Sequence, residues 1–301
     1  SEHPDLLPPS VEAATLNAVE QDDIRTDIAW LSHQAHGIAY GVTCESCHHG
    51  GKAHATHSTA TTTSQKPWFS PVNPHLHSLA GKSVDLSDRS TENVNLICAR
   101  CHSGGRKPYA NGIHTWNSAE FTDGSHGFCY TRRPDSNSAT DTLTCITCHS
   151  PHEGLGKGWK QTPKQDSQIC VSCHDKFDTD TAVAAHTHHA AGSTGSQCMN
   201  CHMPKITEGL ERMVRTHRIF NPTDRSMIEA NQPNACNLCH LDQPIDWTIG
   251  HLREWYGPEH KYSERALLQN YPNRTGPVGP AWLQSPHHPT RLAATEALVA
   301  H

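Results

Sequence analysis

Cysteine and histidine recur in one fixed pattern along this chain: two cysteines three positions apart, with a histidine directly after the second. The pattern stands at Cys44, Cys47, His48; Cys98, Cys101, His102; Cys145, Cys148, His149; Cys170, Cys173, His174; Cys198, Cys201, His202; and Cys236, Cys239, His240. These six occurrences take up twelve of the thirteen cysteines. Chance at this composition would give about 0.05 occurrences in the whole chain, so the repetition reflects a chemical requirement. Two thiols at that spacing lie on one face of a helical turn, and the next imidazole projects from the same side. Such a pentapeptide can bond both vinyl groups of one porphyrin and supply the proximal ligand of its iron. Structural zinc uses paired cysteines too, but needs no histidine after every second one. A disulfide framework makes no such demand either. The residues therefore predict six haem c groups, attached through the twelve cysteines, with His48, His102, His149, His174, His202 and His240 as proximal ligands.

The second axial ligands must come from elsewhere. The chain holds 26 histidines and only four methionines, Met199, Met203, Met213 and Met227. Supply favours two histidines per iron, which gives lower potentials than a His and Met pair and leaves no vacancy for substrate. The candidates fall into groups. His33 and His36 precede the first motif, and His54 follows it in His48-His-Gly-Gly-Lys-Ala-His54. His114 and His126 lie between the second and third motifs; His152 follows the third in Cys148-His-Ser-Pro-His152, too close to bind the far face of its own haem. His186, His188 and His189 precede the fifth motif, and His217 follows it. The chosen distal set is His36, His54, His126, His152, His189 and His217, with His33, His114, His186 and His188 as rivals. His57, His75, His77, His251, His260, His287, His288 and His301 read as surface residues. Cys129, the odd thiol, reads as a small buried hydrophobe.

The rest of the chain must position these groups with few apolar residues. Of 301 residues, 35% are hydrophobic and 6% aromatic, with a mean hydropathy of -0.65. That is poor material for a large aliphatic core. Flat apolar haems can replace side chains in the interior. The expected fold is mainly irregular with short α-helices, the haem array as core, and little or no β-sheet. Spacings between the last four motifs are 25, 28 and 38 residues, against 54 and 47 earlier, so the second half is the denser array. The first 30 residues carry an acidic helical stretch capped at Ser10, and the Thr- and Ser-rich segment from Ala55 to Pro74 reads as a loop.

Two parts follow: a hexahaem domain over 1–241 and a haem-free helical segment over 242–301. In the latter, Pro244 and Gly257 bracket a helix with an apolar stripe of Ile245, Ile249, Leu252 and Tyr256. Ser263 caps a second helix ending before Pro272, and a Pro- and Gly-rich link leads to a third over Thr290 to Ala300.

No window of eighteen apolar residues exists, so a transmembrane helix is not expected. The N-terminus shows no basic stretch followed by an apolar one, so an export signal is expected to have been removed. A net charge of -6, deepened by haem propionates, argues against nucleic acid as a partner.

Several stretches resemble the doubled-CxxCH multihaem family related to the cytochromes of hydroxylamine oxidation and ammonia-forming nitrite reduction. They are Leu143-Thr-Cys-Ile-Thr-Cys-His-Ser-Pro-His152, His186-Thr-His-His189 ahead of the fifth motif, Pro233-Asn-Ala-Cys-Asn-Leu-Cys-His240 running into Trp255-Tyr-Gly257, and Gly41-Val-Thr-Cys-Glu-Ser-Cys-His48. The resemblance implies stacked bis-His haem pairs and export across the cytoplasmic membrane, to a periplasmic or extracellular location. Pro289 to Leu298 also looks like the first helix of a HEAT-type repeat, which in that family can follow the haem domain. The chain departs from the enzymes of the family: no Cys-x-x-Cys-Lys occurs, and no tyrosine matches a haem cross-link.

The function expected is electron transfer between redox partner proteins or an extracellular acceptor. Self-association into a polymeric cytochrome wire is its sharper form, supported by resemblance to hexahaem filament cytochromes in haem count alone. The alternative is a reductase of nitrogen or sulfur oxyanions with one five-coordinate haem.

Overall fold

The computed structural model describes residues 46–47, 91–131, 143–152, 162–257 and 261–300. Ser46 and Cys47 belong to one compact unit; the remaining described residues belong to a second. In that second unit α1 (Thr91–His102), α2 (Glu120–Ser125), α3 (Phe128–Thr131), α4 (Cys145–Cys148), α5 (Pro163–Val171), α6 (Asp180–Thr187) and α7 (Cys198–His202) precede a hairpin of β1 (Lys205–Glu208) and β2 (Met213–Arg215). After it come α8 (Arg225–Glu229), α9 (Ala235–Cys239), α10 (Ile245–Tyr256), α11 (Glu264–Asn270), α12 (Val278–Leu283) and α13 (His288–Ala300). Short helices and loops thus dominate, and the described sheet is two-stranded, as the sequence predicts.

Caps explain where many of these helices begin. Thr162 accepts from Gln165 N, ahead of Pro163 in the first helical position. Thr179, Asn234 and Ser263 accept from Ala182 N, Asn237 N and Ala266 N at the starts of α6, α9 and α11. Pro244 and Gly257 bracket α10 as expected, with Gly257 at φ 100°.

An aliphatic core does exist among the described residues, richer than composition suggests. It joins Ile113 and Ile206 to Met227, Ile228, Ile245, Ile249, Leu267, Trp282 and Ala294. Apolar residues are scarce but concentrated, so the helices after residue 242 share one core with residues before it. Tyr109 ties the loop ahead of α2 to the hairpin by donating to Ile206 O at 2.7 Å.

Three details differ from expectation. Tyr256 leaves the apolar stripe of α10: it is 37% exposed and donates from its hydroxyl to His186 O at 3.1 Å. The link between Pro272 and Pro289 contains α12, whose Pro280 sits in the first turn, where no helical N–H is needed. Its Trp282 is fully buried and donates to Asn231 Oδ1 at 2.8 Å. His251 and His287, read as surface residues, are half-buried; His287 lies edge-on to Tyr109 with centroids 5.3 Å apart.

Candidate haem-binding site

The five motifs from Cys98 onward are helical turns. His149, His174 and His240 each donate a backbone N–H to the carbonyl of the first cysteine of their motif, Cys145, Cys170 and Cys236, at 3.0 Å in every case. This i to i−4 bond brings both thiols and the imidazole to one side of the turn. At the fifth motif the turn is held from outside: Arg215 donates to Met199 O at 2.8 Å, Met203 O at 3.1 Å and Asn200 Oδ1 at 2.7 Å. A cation on the last carbonyls of a helix satisfies groups the helix cannot. At the sixth, fully buried Asn237 donates to His240 O and Gln243 O and accepts from Thr248 Oγ1.

The motif helices form an unbroken run: α1 packs on α4, α4 on α5, α5 on α7 and α7 on α9. Thiols of different motifs meet along it. The hydrogen bond with Cys145 pulls the Cys98 thiol down to about 7, and the same contact, with burial, pushes Cys145 well above the thiol range. Cys198 is pulled down to about 6 by Cys170, which is pushed up in turn. Burial raises Cys201 to about 11 and Cys236 to about 12. Cys129 is half-buried beside the third and fourth motifs, its thiol pushed up by burial and by the nearby Cys173.

Three motif imidazoles each face a second imidazole. His149 lies 6.0 Å from His217, His202 lies 6.1 Å from His186, and His240 lies 6.3 Å from His189, centroid to centroid, with interplanar angles of 26°, 4° and 29°. Two imidazoles bound to one iron from opposite sides, each nitrogen ~2 Å from the metal, put their ring centroids roughly 6 Å apart, so the spacing fits a bis-His haem. Nδ1 of His202 pairs with Phe220 O at 2.9 Å and Nδ1 of His189 with Thr187 O at 2.6 Å. Those bonds leave Nε2 as the nitrogen for a metal. Among the described residues no three His, Cys, Asp or Glu side chains converge as around a bare ion. A haem iron needs two protein donors, because the porphyrin provides four. The residues present fit the group.

Burial keeps His149, His186 and His217 below the ordinary histidine range, so these rings stay neutral and able to ligate.

The structure therefore brings His217 and His189, both in the chosen set, to motif histidines, along with His186, a rival. One local feature lets His186 and His189 face different motifs. α6 ends in a left-handed residue at His188, φ 56°, which turns the chain, and the His188 ring stacks on Trp255 at 4.1 Å. Gly195 makes room for His189, whose ring lies where a Cβ would stand. Of the others, His114 pairs with Asp123 at 2.7 Å. His126 is exposed and faces Thr122 O at 2.6 Å; among the described residues it lies opposite no motif imidazole. His152 is exposed. Cys44, His48, His33, His36 and His54 lie outside the described residues, as do the expected helix capped at Ser10 and the loop from Ala55.

One group escaped the sequence reading. Rings run from His240 to Trp247 at 5.0 Å, on to His251 at 4.7 Å, to Trp255 at 4.9 Å and to His188. The spacing of Trp247, His251 and Trp255 by four residues on one helix was the available signal.

The doubled CXXCH motif family matches residues 138–179, which span the third and fourth motifs. The match supports multihaem c-type cytochrome character, covalently bound haem c and an electron-carrying role. No solved structure matches the chain.

Proposed function

We propose that this chain carries electrons outside the cytoplasm along six covalently attached bis-His haems, one for each of its six motifs. The observation that carries the reading is the set of three imidazole pairs at 6.0, 6.1 and 6.3 Å on motif helices packed in an unbroken run. Each bound haem supplies a one-electron Fe(III)/Fe(II) couple. The chain's own residues do the rest. Motif histidines with His217, His186 and His189 fill both axial positions at the third, fifth and sixth motifs, so no site opens for substrate at those three. The Phe220 and Thr187 carbonyls fix which nitrogen ligates. Contact between successive motif helices keeps neighbouring haems close.

Cys101, Cys173 and Cys239 are exposed, so motifs at several points of the described run reach the surface. We propose that copies associate end to end and extend the array into a filament, since heterologous contacts that do not close make fibres. Redox partner proteins or an extracellular acceptor would meet it at such ends.

Mass spectrometry of the mature chain, with resonance Raman spectra of the ferric protein, tests the reading. The expected result is an added mass of six haems and low-spin iron throughout. A high-spin component that binds cyanide or nitrite would overturn it in favour of an oxyanion reductase. Electron microscopy tests assembly: filaments are expected, and a strictly monomeric sedimentation profile would overturn the polymeric form.

A further inference from the structure

Two histidines, His102 of the second motif and His114, have carboxylates of α2 on their ring nitrogens, three residues apart and so on one face. Asp123 is committed to His114, whose ring Nδ1 and backbone N–H it holds together. Glu120 has a different charge: its Oε2 lies 2.8 Å from Nδ1 of His102, the proximal residue of the second motif. The Glu120 side chain is 17% exposed and shares a cavity wall with Trp116, Thr207 and His217. His217 is the ring that faces His149. One carboxylate thus grips a ligand of the second haem and borders a ligand of the third. By contrast, His202 and His189 have neutral backbone carbonyls as partners.

The difference matters because an anion on Nδ1–H draws the proton away from the ring and makes Nε2 a stronger donor. It also places negative charge directly beside that ligand, on a carboxylate that is itself 17% exposed while the His102 ring is 51% exposed, and both effects would favour Fe(III) over Fe(II). We infer that Glu120 is a potential-setting residue, whose carboxylate on His102 lowers the reduction potential of the haem that His102 holds. The inference rests on the electron-carrier reading above and deepens it: the haem at the second motif is biased towards giving electrons up.

The test is spectroelectrochemical titration of the haem-loaded full chain, wild type against Glu120→Gln, with ferric EPR on the same samples. Glutamine keeps an oxygen acceptor near Nδ1 and removes only the charge. One one-electron component is expected to move to higher potential while the others superimpose, and one low-spin EPR signal should change its g values. Superimposable titrations and EPR spectra would overturn the inference. Glu120→Ala separates a merely structural role: if Glu120 only steers the ring, Ala disturbs the low-spin spectrum while Gln reproduces wild type. Intact mass, read first on each sample, keeps the two claims apart. Missing haem in the wild type sinks the electron-carrier reading, whereas full haem loading with unmoved potentials sinks only the role of Glu120.

Discussion

The rings of His186 and His202 lie 6.1 Å apart with their planes within 4° of parallel. His202 belongs to the fifth motif and His186 to the last turn of α6, so this relationship sets a helix from outside the motif against the motif imidazole, and under the proposed function the two rings would be the axial donors of one haem. Replacing His186 by Ala should leave the added haem mass unchanged, because Cys198 and Cys201 still attach the porphyrin. About one haem in six should become high-spin, since one iron loses an axial donor. Resonance Raman spin-state markers measure this. A variant that stays wholly low-spin would show that another residue ligates there.

Gly195 offers a subtler way to disturb the sixth motif. A Cβ at this position would collide with the His189 ring, so Gly195→Ala must push that imidazole away from His240. Gly195 has no positive φ and lies outside every Cys-x-x-Cys-His motif, so attachment should survive. Expected is a high-spin signal for one haem and ready binding of cyanide. No change in spin state would mean the ring can shift without losing the iron.

Asn237 tests the link between the haem turn and the core. It lies between Cys236 and Cys239, fully buried, and bonds the His240 carbonyl on one side and the Thr248 hydroxyl of α10 on the other. In Asn237→Leu the His240 carbonyl keeps the N–H of Gln243, but the buried Thr248 hydroxyl and Asn234 amide lose their acceptor, at a cost of about 1–3 kcal/mol for each. A fall in the denaturation midpoint by several degrees or more is expected. Unchanged stability would mean that nearby groups can replace the amide.

How much of this was legible in the sequence follows from the range of each interaction. The motif turns were, because Cys145, Cys148 and His149 lie within one helical turn and their geometry is local. The α10 boundaries were, because Pro244 and Gly257 act on their own backbone. The use of His186 as well as His189 was not. It depends on where the left-handed residue His188 turns the chain, and non-glycine residues adopt that conformation only when tertiary contacts compensate. α12 was hidden because Pro280 suggests a break, while burial of Trp282 against Asn231, 51 residues away, stabilises the helix. The pairing of Glu120 with His102 crosses 18 residues of irregular chain and has no periodic trace.

His287 links stability to pH away from the haem ligands. Its ring is packed edge-on against Tyr109 and bonded to Thr290 Oγ1 at 2.9 Å. Burial holds it below the ordinary histidine range, and Lys107, His288 and Arg291 push the same way. The folded chain therefore takes up this proton less readily than the unfolded chain, whose histidine titrates near about 6.5. Stability from this group is fully present above that value and is lost as pH falls through it, because protons then favour the unfolded state. Between about pH 7.5 and 5 the Tm of the wild type should fall more steeply than that of His287→Gln, which has no proton to gain. Parallel Tm profiles for the two proteins would show that the imidazole titrates alike in both states.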